Sequence, residues 1–156
     1  LSAGASHVIV TSYVFKDGRI SWENLNKMKE TVGKEKLVLD LSCRRKDGKY
    51  YIVTDRWQKF TDVTVTLDIM KELGSYCDEF LVHAVDVEGK ARGVETELVS
   101  LLGEYKGNPV TYAGGGGSMK DIEDLRKYGK DRLDITVGSA LDLFGGNISF
   151  SELIKL

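Results

Sequence analysis

Short apolar runs alternate with longer amphipathic stretches along most of the chain. Val8-Ile-Val-Thr-Ser12, Leu37-Val-Leu-Asp-Leu41, Glu79-Phe-Leu-Val-His83, Pro109-Val-Thr-Tyr-Ala113 and Arg132-Leu-Asp-Ile-Thr-Val137 each have the apolar, β-branched character of a buried strand. Between them, apolar positions recur at the spacing of one helix face. Ile20, Leu25, Met28 and Val32 mark a first helix that Gly33 closes. Further helices are predicted over Thr66–Leu73, stopping at Gly74, and over Val94–Leu102, ending at Gly103. Two more follow, over Met119–Tyr128 and about Ser149–Leu156. From Cys43 to Trp57 the rhythm breaks. Lys46-Asp-Gly-Lys49 is a turn signal ahead of the strand-like run Tyr50-Tyr-Ile-Val-Thr54, which predicts a β-hairpin inserted after the second strand. A strand followed by a helix, five times over, implies an α/β fold with a parallel sheet and helices outside it.

In such sheets ligands sit beyond the C-terminal strand ends. This chain places Thr11 and Ser12, Asp40, His83 with Asp86, Gly114 to Gly117, and Gly138 with Ser139 there. The run Val110-Thr-Tyr-Ala-Gly-Gly-Gly-Gly-Ser118 ends a strand in four glycines and then opens a helix. Glycines permit close backbone approach, and a helix N-terminus attracts anions, so the stretch suits a phosphate; a plain flexible turn is the alternative. Ser118 and Asp121 resemble a capping box, with Asp in the usual Glu or Gln place. Val8–Ser12 and Ile135–Ser139 echo one another, each ending in Ser after β-branched residues, so two strand ends could hold two similar groups.

Asp40, among Val38, Leu39 and Leu41, is either at the strand's mouth or expensively buried. There its pKa would rise, which suits acid/base work; the alternative is a carboxylate holding a loop backbone, Arg44 or Arg45. His83 is open to proton transfer, ligand binding or a structural role, and Asp86 to positioning substrate or bracing its loop. Trp57 either covers a ligand or packs. His7, ahead of its strand, belongs to the opposite, stability face.

The 156 residues suffice for a single domain, 1–156, with a real core. A formal charge of −2 gives no reason to expect nucleic acid or an acidic membrane, and no apolar run is long enough to span a bilayer. Cys43 and Cys77 lack zinc spacing and are too few for a disulfide framework, which fits a reducing compartment such as the cytoplasm. The abrupt opening on Leu1-Ser-Ala-Gly-Ala-Ser-His7 reads like the end of a helix and a loop, so the chain is expected to be part of something longer.

Val-Ile-Val-Thr-Ser-Tyr-Val-Phe, Leu-Val-Leu-Asp-Leu-Ser-Cys-Arg, Thr-Asp-Arg-Trp-Gln-Lys, Asp-Glu-Phe-Leu-Val-His-Ala-Val-Asp-Val-Glu-Gly, Thr-Tyr-Ala-Gly-Gly and Thr-Val-Gly-Ser-Ala-Leu-Asp-Leu-Phe-Gly-Gly-Asn occur in this order. Together they resemble the histidine-biosynthetic isomerase family acting on phosphoribosylformimino-aminoimidazole carboxamide ribotide, in its plant and fungal form. The resemblance implies a (βα)8 TIM barrel, of which this chain supplies about strands 4–8 with their helices and the inserted hairpin. It implies an Amadori aminoaldose-to-aminoketose rearrangement on a substrate with a phosphate at each end, without metal or organic cofactor. Asp40 matches the fifth-strand catalytic aspartate; a first-strand aspartate lies outside this chain. Thr11 and Ser12 match part of one phosphate site, and Gly114, Gly115, Gly138 and Ser139 match the other. Missing N-terminal strands, or another chain, are then expected to cover the open sheet edges, and a plant member would sit in the plastid. Two departures stand out. Many bacterial members have a threonine after the sixth strand, where Ala84 now follows His83, so His83 or Asp86 is expected to take over its hydrogen bonding. Gly116 and Gly117 also lengthen the glycine run. The rival readings are the sister cyclase of the same pathway, which shares the barrel and a fifth-strand aspartate, and a catalytically incomplete phosphate-binding half-barrel.

Overall fold

The structure, a computed structural model, describes residues 1–89 and 93–155. Its elements in chain order are β1 (Val8–Val10), β2 (Phe15–Lys16), β3 (Arg19–Ile20), α1 (Trp22–Val32), β4 (Leu37–Asp40), β5 (Cys43–Lys46), β6 (Lys49–Thr54) and β7 (Lys59–Thr64). There follow α2 (Leu67–Leu73), β8 (Glu79–His83), α3 (Thr96–Glu104), β9 (Val110–Ala113), α4 (Met119–Tyr128), β10 (Leu133–Thr136) and α5 (Phe150–Leu153). Three helices, α1, α2 and α4, start where a small hydroxyl side chain replaces a missing backbone partner. Ser21, Thr66 and Ser118 accept from the backbone N–H groups of Asn24, Ile69 and Asp121 at 3.2–3.3 Å.

β1, β4, β8, β9 and β10 form one parallel sheet in that spatial order. Each new strand is laid beside the one before it. With right-handed crossovers, that order puts every connecting helix on the same face of the sheet. The register shows which face. Leu39, Phe80, Val110 and Leu133 lie side by side, as do Val82, Tyr112 and Ile135. These residues pack with Leu25, Met70, Leu98, Leu102 and Leu125 of the helices in the hydrophobic core. Side chains alternate along a strand, so the opposite face carries Ile9, Asp40, Leu81, His83, Thr111, Ala113, Asp134 and Thr136. Among the described residues no connecting helix lies on it, and Ile9 is 60% exposed. Thr111 donates to Glu79 on this side at 2.5 Å. The sheet is open: β1 and β10 each pair along one edge only.

The insertion after β4 is a three-stranded antiparallel sheet, β5-β6-β7, where the sequence predicted a two-stranded hairpin. The third strand has only a weak alternating signal, with Phe60 and Asp62 exposed and Thr61 buried. The Thr61 hydroxyl, at 2.8 Å from the Ile52 carbonyl, ties β7 to β6. A second unpredicted feature is the small β2–β3 hairpin around Asp17-Gly18, whose Gly18 carbonyl accepts from the Asp62 N–H at 2.7 Å.

Gly103 was expected to end a helix but sits inside α3. A Cβ there would lie 2.8–2.9 Å from the backbone of Gly129, so the glycine lets α3 and α4 touch. Gly103→Ala gains up to about 1 kcal/mol of helix propensity but overpacks a backbone contact at roughly 1–3 kcal/mol. The clash is against backbone, which cannot rotate away, so a net loss of stability is expected in urea unfolding. A more stable variant would mean that the helices are not in this contact. The last helix is also shorter than predicted; it stops at Leu153, and Leu156 lies outside the described residues.

Candidate active site

All the predicted site residues except Asp86 converge at the C-terminal strand ends, in two clefts on the helix-free face. The first, of about 440 Å³, is lined by Thr11 and Ser12 just past β1, Asp40 at the end of β4, Ser42, and the β6–β7 turn with Trp57. The second, of about 490 Å³, is lined by His83, Glu88, Gly114 to Gly117, Thr136, Gly138 and Ser139 among others. Trp57 stands edge-on to the His83 ring, with centroids 4.8 Å apart and planes at 75°. One ring lines each cleft, so this aromatic pair stands where the two meet.

Asp40 is half-buried, and its Oδ1 accepts from the Ser42 hydroxyl at 2.8 Å. Burial pushes its pKa up; the hydroxyl and N–H of Ser42 and the nearby His83 pull the other way without cancelling it. Arg44 and Arg45, candidate partners on sequence grounds, turn elsewhere. Arg44 Nε donates to Asp86 Oδ1 at 2.9 Å, the Arg45 N–H to Asp86 Oδ2 at 2.8 Å, and the Arg45 guanidinium to Glu97 at 2.7 Å. Asp86 lies in a 3-10 turn, Val85–Val87, and lines neither cleft; its carboxylate ties that turn to the inserted sheet.

His83 is mostly buried and pairs through Nε2 with Glu88 Oε2 at 3.0 Å. Glu88, Ser42 and Arg56 are among the site residues that sequence reasoning missed. Glu88 had a signal, five residues from His83 in a flagged loop, whereas Ser42 had only its closeness to Asp40. His7, at the other end of the sheet, pairs with Asp78 at 3.2 Å, in keeping with a structural role.

The glycine loop is a built turn. Gly114 (φ +115°) and Gly115 (φ +74°) take backbone conformations that side chains rarely adopt. A Cβ on Gly115 would sit 2.1 Å from the Gly93 carbonyl oxygen. The Asp121 carboxylate accepts from the Gly117 N–H at 3.0 Å and from Ser118 Oγ at 2.8 Å, closing the expected capping arrangement one residue further back. Cys43 and Cys77 are buried, and burial pushes both thiols up, Cys77 to about 12, so neither is a nucleophile. Among the described residues no group of three or more His, Cys, Asp or Glu is placed to hold a metal ion.

A singly wound parallel arc, with helices on one face and ligand clefts at the C-terminal strand ends, defines a barrel-type α/β protein. The chain belongs to the histidine biosynthesis protein family, whose model matches residues 1–149 and whose fold is the TIM barrel. It is 57% identical over 154 residues to a Medicago truncatula protein named as a chloroplastic 1-(5-phosphoribosyl)-5-((5-phosphoribosylamino)methylideneamino)imidazole-4-carboxamide isomerase. It is 44% identical over 164 residues to the isomerase of the same name from Yarrowia lipolytica, and 41% identical over 150 residues to that of Saccharomyces cerevisiae. The three alignments cover 99%, 99% and 92% of this chain but 49%, 62% and 58% of the relatives. The chain therefore spans about half to three-fifths of the length of these curated relatives.

Proposed function

We propose that this chain forms the clefts and one acid/base group of an isomerase that rearranges a bis-phosphorylated aminoaldose ribotide to its aminoketose. The observation that carries the reading is Asp40, half-buried at a strand end in a cleft rimmed by hydroxyls, with a second cleft rimmed by a glycine loop across the Trp57–His83 pair. The name of the relatives' enzyme contains two 5-phosphoribosyl groups, hence two phosphates. One phosphate belongs at Thr11 and Ser12. The other belongs at Gly114, Gly115, Gly138 and Ser139, below the N-terminus of α4. Held at both ends, the substrate presents its reacting sugar to Asp40.

The rearrangement moves protons and opens a ring. A carboxyl whose pKa is raised by burial can both give and take a proton nearer neutral pH than an exposed one. His83 offers a second hydrogen-bonding group, held by Glu88 and the edge of Trp57. Asp86 acts on the site through the inserted sheet, as a brace for the loop that carries Glu88. The similarity to a chloroplastic plant enzyme favours the plastid as its compartment.

The cyclase remains the second reading because the family model carries the general description of histidine biosynthesis. Incubating the full-length protein with the bis-phosphorylated ribotide separates the two. Ammonia-independent conversion to the aminoketose is expected. Turnover that appears only with ammonia and yields a cyclised product would sink the isomerase reading, and phosphate binding without any turnover would leave a binding module.

A further inference from the structure

Arg56 lines the cleft of Thr11, Ser12 and Asp40 and is the cationic residue among those that do. Its side chain has no hydrogen-bond, ion-pair or ring partner among the described residues. Three other cations of the inserted sheet are engaged: Arg44 with Asp86, Arg45 with Glu97, and Lys59 with Asp55 at 2.6 Å. A guanidinium left unpaired beside a cleft is available for an anion.

The backbone that presents it is costly. Asp55, Arg56 and Trp57 stand at φ +52°, +55° and +68°, three successive non-glycine residues in the left-handed region. Each pays a steric penalty for its Cβ there. The turn is nonetheless closed, by Gln58 N–H to the carbonyls of Thr54 at 3.1 Å and Asp55 at 3.3 Å. The conformation brings Arg56 and Trp57 together to the cleft wall.

The two clefts also differ in how they could hold an anion. Among the described residues the glycine-loop cleft has no Lys or Arg lining it, and it offers backbone N–H groups beside a helix start. The Thr11–Ser12 cleft has hydroxyls, no such loop, and the carboxyl of Asp40 on its wall. A phosphate dianion there meets like charge unless a cation compensates.

We infer that Arg56 binds the phosphomonoester held at Thr11 and Ser12, supplying a planar donor pair to its oxygens. The inference rests on the reading of that cleft as one of the isomerase's two phosphate sites. Trp57 shares the cleft wall and reports on it once Trp22, the other tryptophan of this sequence, is replaced by Phe. In the full-length Trp22→Phe protein, with any tryptophan outside this stretch also replaced, Trp57 emission is followed while inorganic phosphate is titrated in. Arg56→Asn and Arg56→Lys are compared with it. Asn tolerates the left-handed region better than most residues, so Arg56→Asn is expected to fold with unchanged thermal stability.

Saturable change with phosphate is expected, shifted to about 10- to 100-fold higher phosphate in Arg56→Asn and only partly in Arg56→Lys. In turnover, KM rises by a similar factor while kcat changes less. If Arg56→Asn titrates like its parent, the role of Arg56 is wrong and the isomerase reading stands. If the parent itself shows no phosphate response at Trp57, the cleft is not a phosphate site and both fall.

Discussion

Asp40→Asn in the full-length protein should abolish most turnover and at the same time stabilise the fold at neutral pH. General acid/base catalysis by one positioned group is worth about 10²- to 10⁴-fold, so kcat should fall in that range while KM moves little. The stability effect follows from burial. The folded state raises the Asp40 pKa above its ordinary 3.8, meaning that it holds this proton more tightly than the unfolded chain does. Stability from this group is therefore fully present below pH 3.8 and is lost as pH rises through the folded value. Above that, the ionised carboxylate is a liability that Asn does not carry. Asn also keeps an oxygen to accept the Ser42 hydroxyl, so no buried donor is orphaned. Urea unfolding of both proteins across this range should show a difference near zero in acid that grows toward neutrality and then levels. A difference that grows toward acid would show that Asp40 is stabilised as the anion, and near-normal kcat would remove its catalytic role.

The five strand–helix units were legible because two periodicities alternate cleanly along the chain. Each apolar run fell on a strand, and Ser21, Thr66 and Ser118 ahead of amphipathic stretches became caps. Two elements were missed for different reasons. Asp17-Gly18 and Asp47-Gly48 are the same turn signal with the same paired positive φ values, 52° and 76° against 51° and 75°. Only the second was read as a hairpin, because the flanking strands of the first are two residues long. β7 lacked a signal of its own: it pairs along one edge with β6, only Thr61 of its residues is buried, and the β6–β7 turn contains no glycine. Its left-handed residues are an aspartate, an arginine and a tryptophan, for which sequence offers no warning.

At the site, the residue types at strand ends were enough to find both clefts, since parallel topology decides which end of a strand faces a ligand. What the sequence left open was the allocation of partners. Asp86 and Arg44 are 42 positions apart and meet only because the inserted sheet folds back over the loop after β8. Local spacing made Arg44 a candidate for Asp40; tertiary structure gave it to Asp86. Gly103 shows the same limit within a helix. A glycine at the end of an amphipathic pattern looks like a stop, and its true reason, the backbone of Gly129, lies at the end of another helix.

Gly115→Ala should cost the fold and the second cleft together. The alanine would hold a left-handed φ of +74° and place its Cβ 2.1 Å from the Gly93 oxygen and 2.8 Å from its carbonyl carbon. Left-handed strain and overpacking against backbone together amount to about 2–4 kcal/mol, or a drop of roughly 5–15 °C in Tm for a domain of this size. The segment that must give way, Gly93, leads into α3, whose Glu95 N–H is held by the Tyr112 hydroxyl of β9 at 3.0 Å. The disturbance therefore spreads from the loop to the helix start, and KM should rise with it. Two neighbours supply the contrast. Among the described residues, a Cβ at Gly116 meets only the tip of Ile135 at 3.2 Å, a side chain that can rotate. Gly116→Ala is accordingly expected to shift Tm little. At Gly138 a Cβ meets nothing within 4 Å, so Gly138→Ala should leave Tm unchanged. Any rise in KM there reports a ligand brought close to the backbone. Equal losses of stability at Gly115 and Gly116 would mean that the loop is a soft tether, and would remove the reason for reading it as a preformed phosphate cradle.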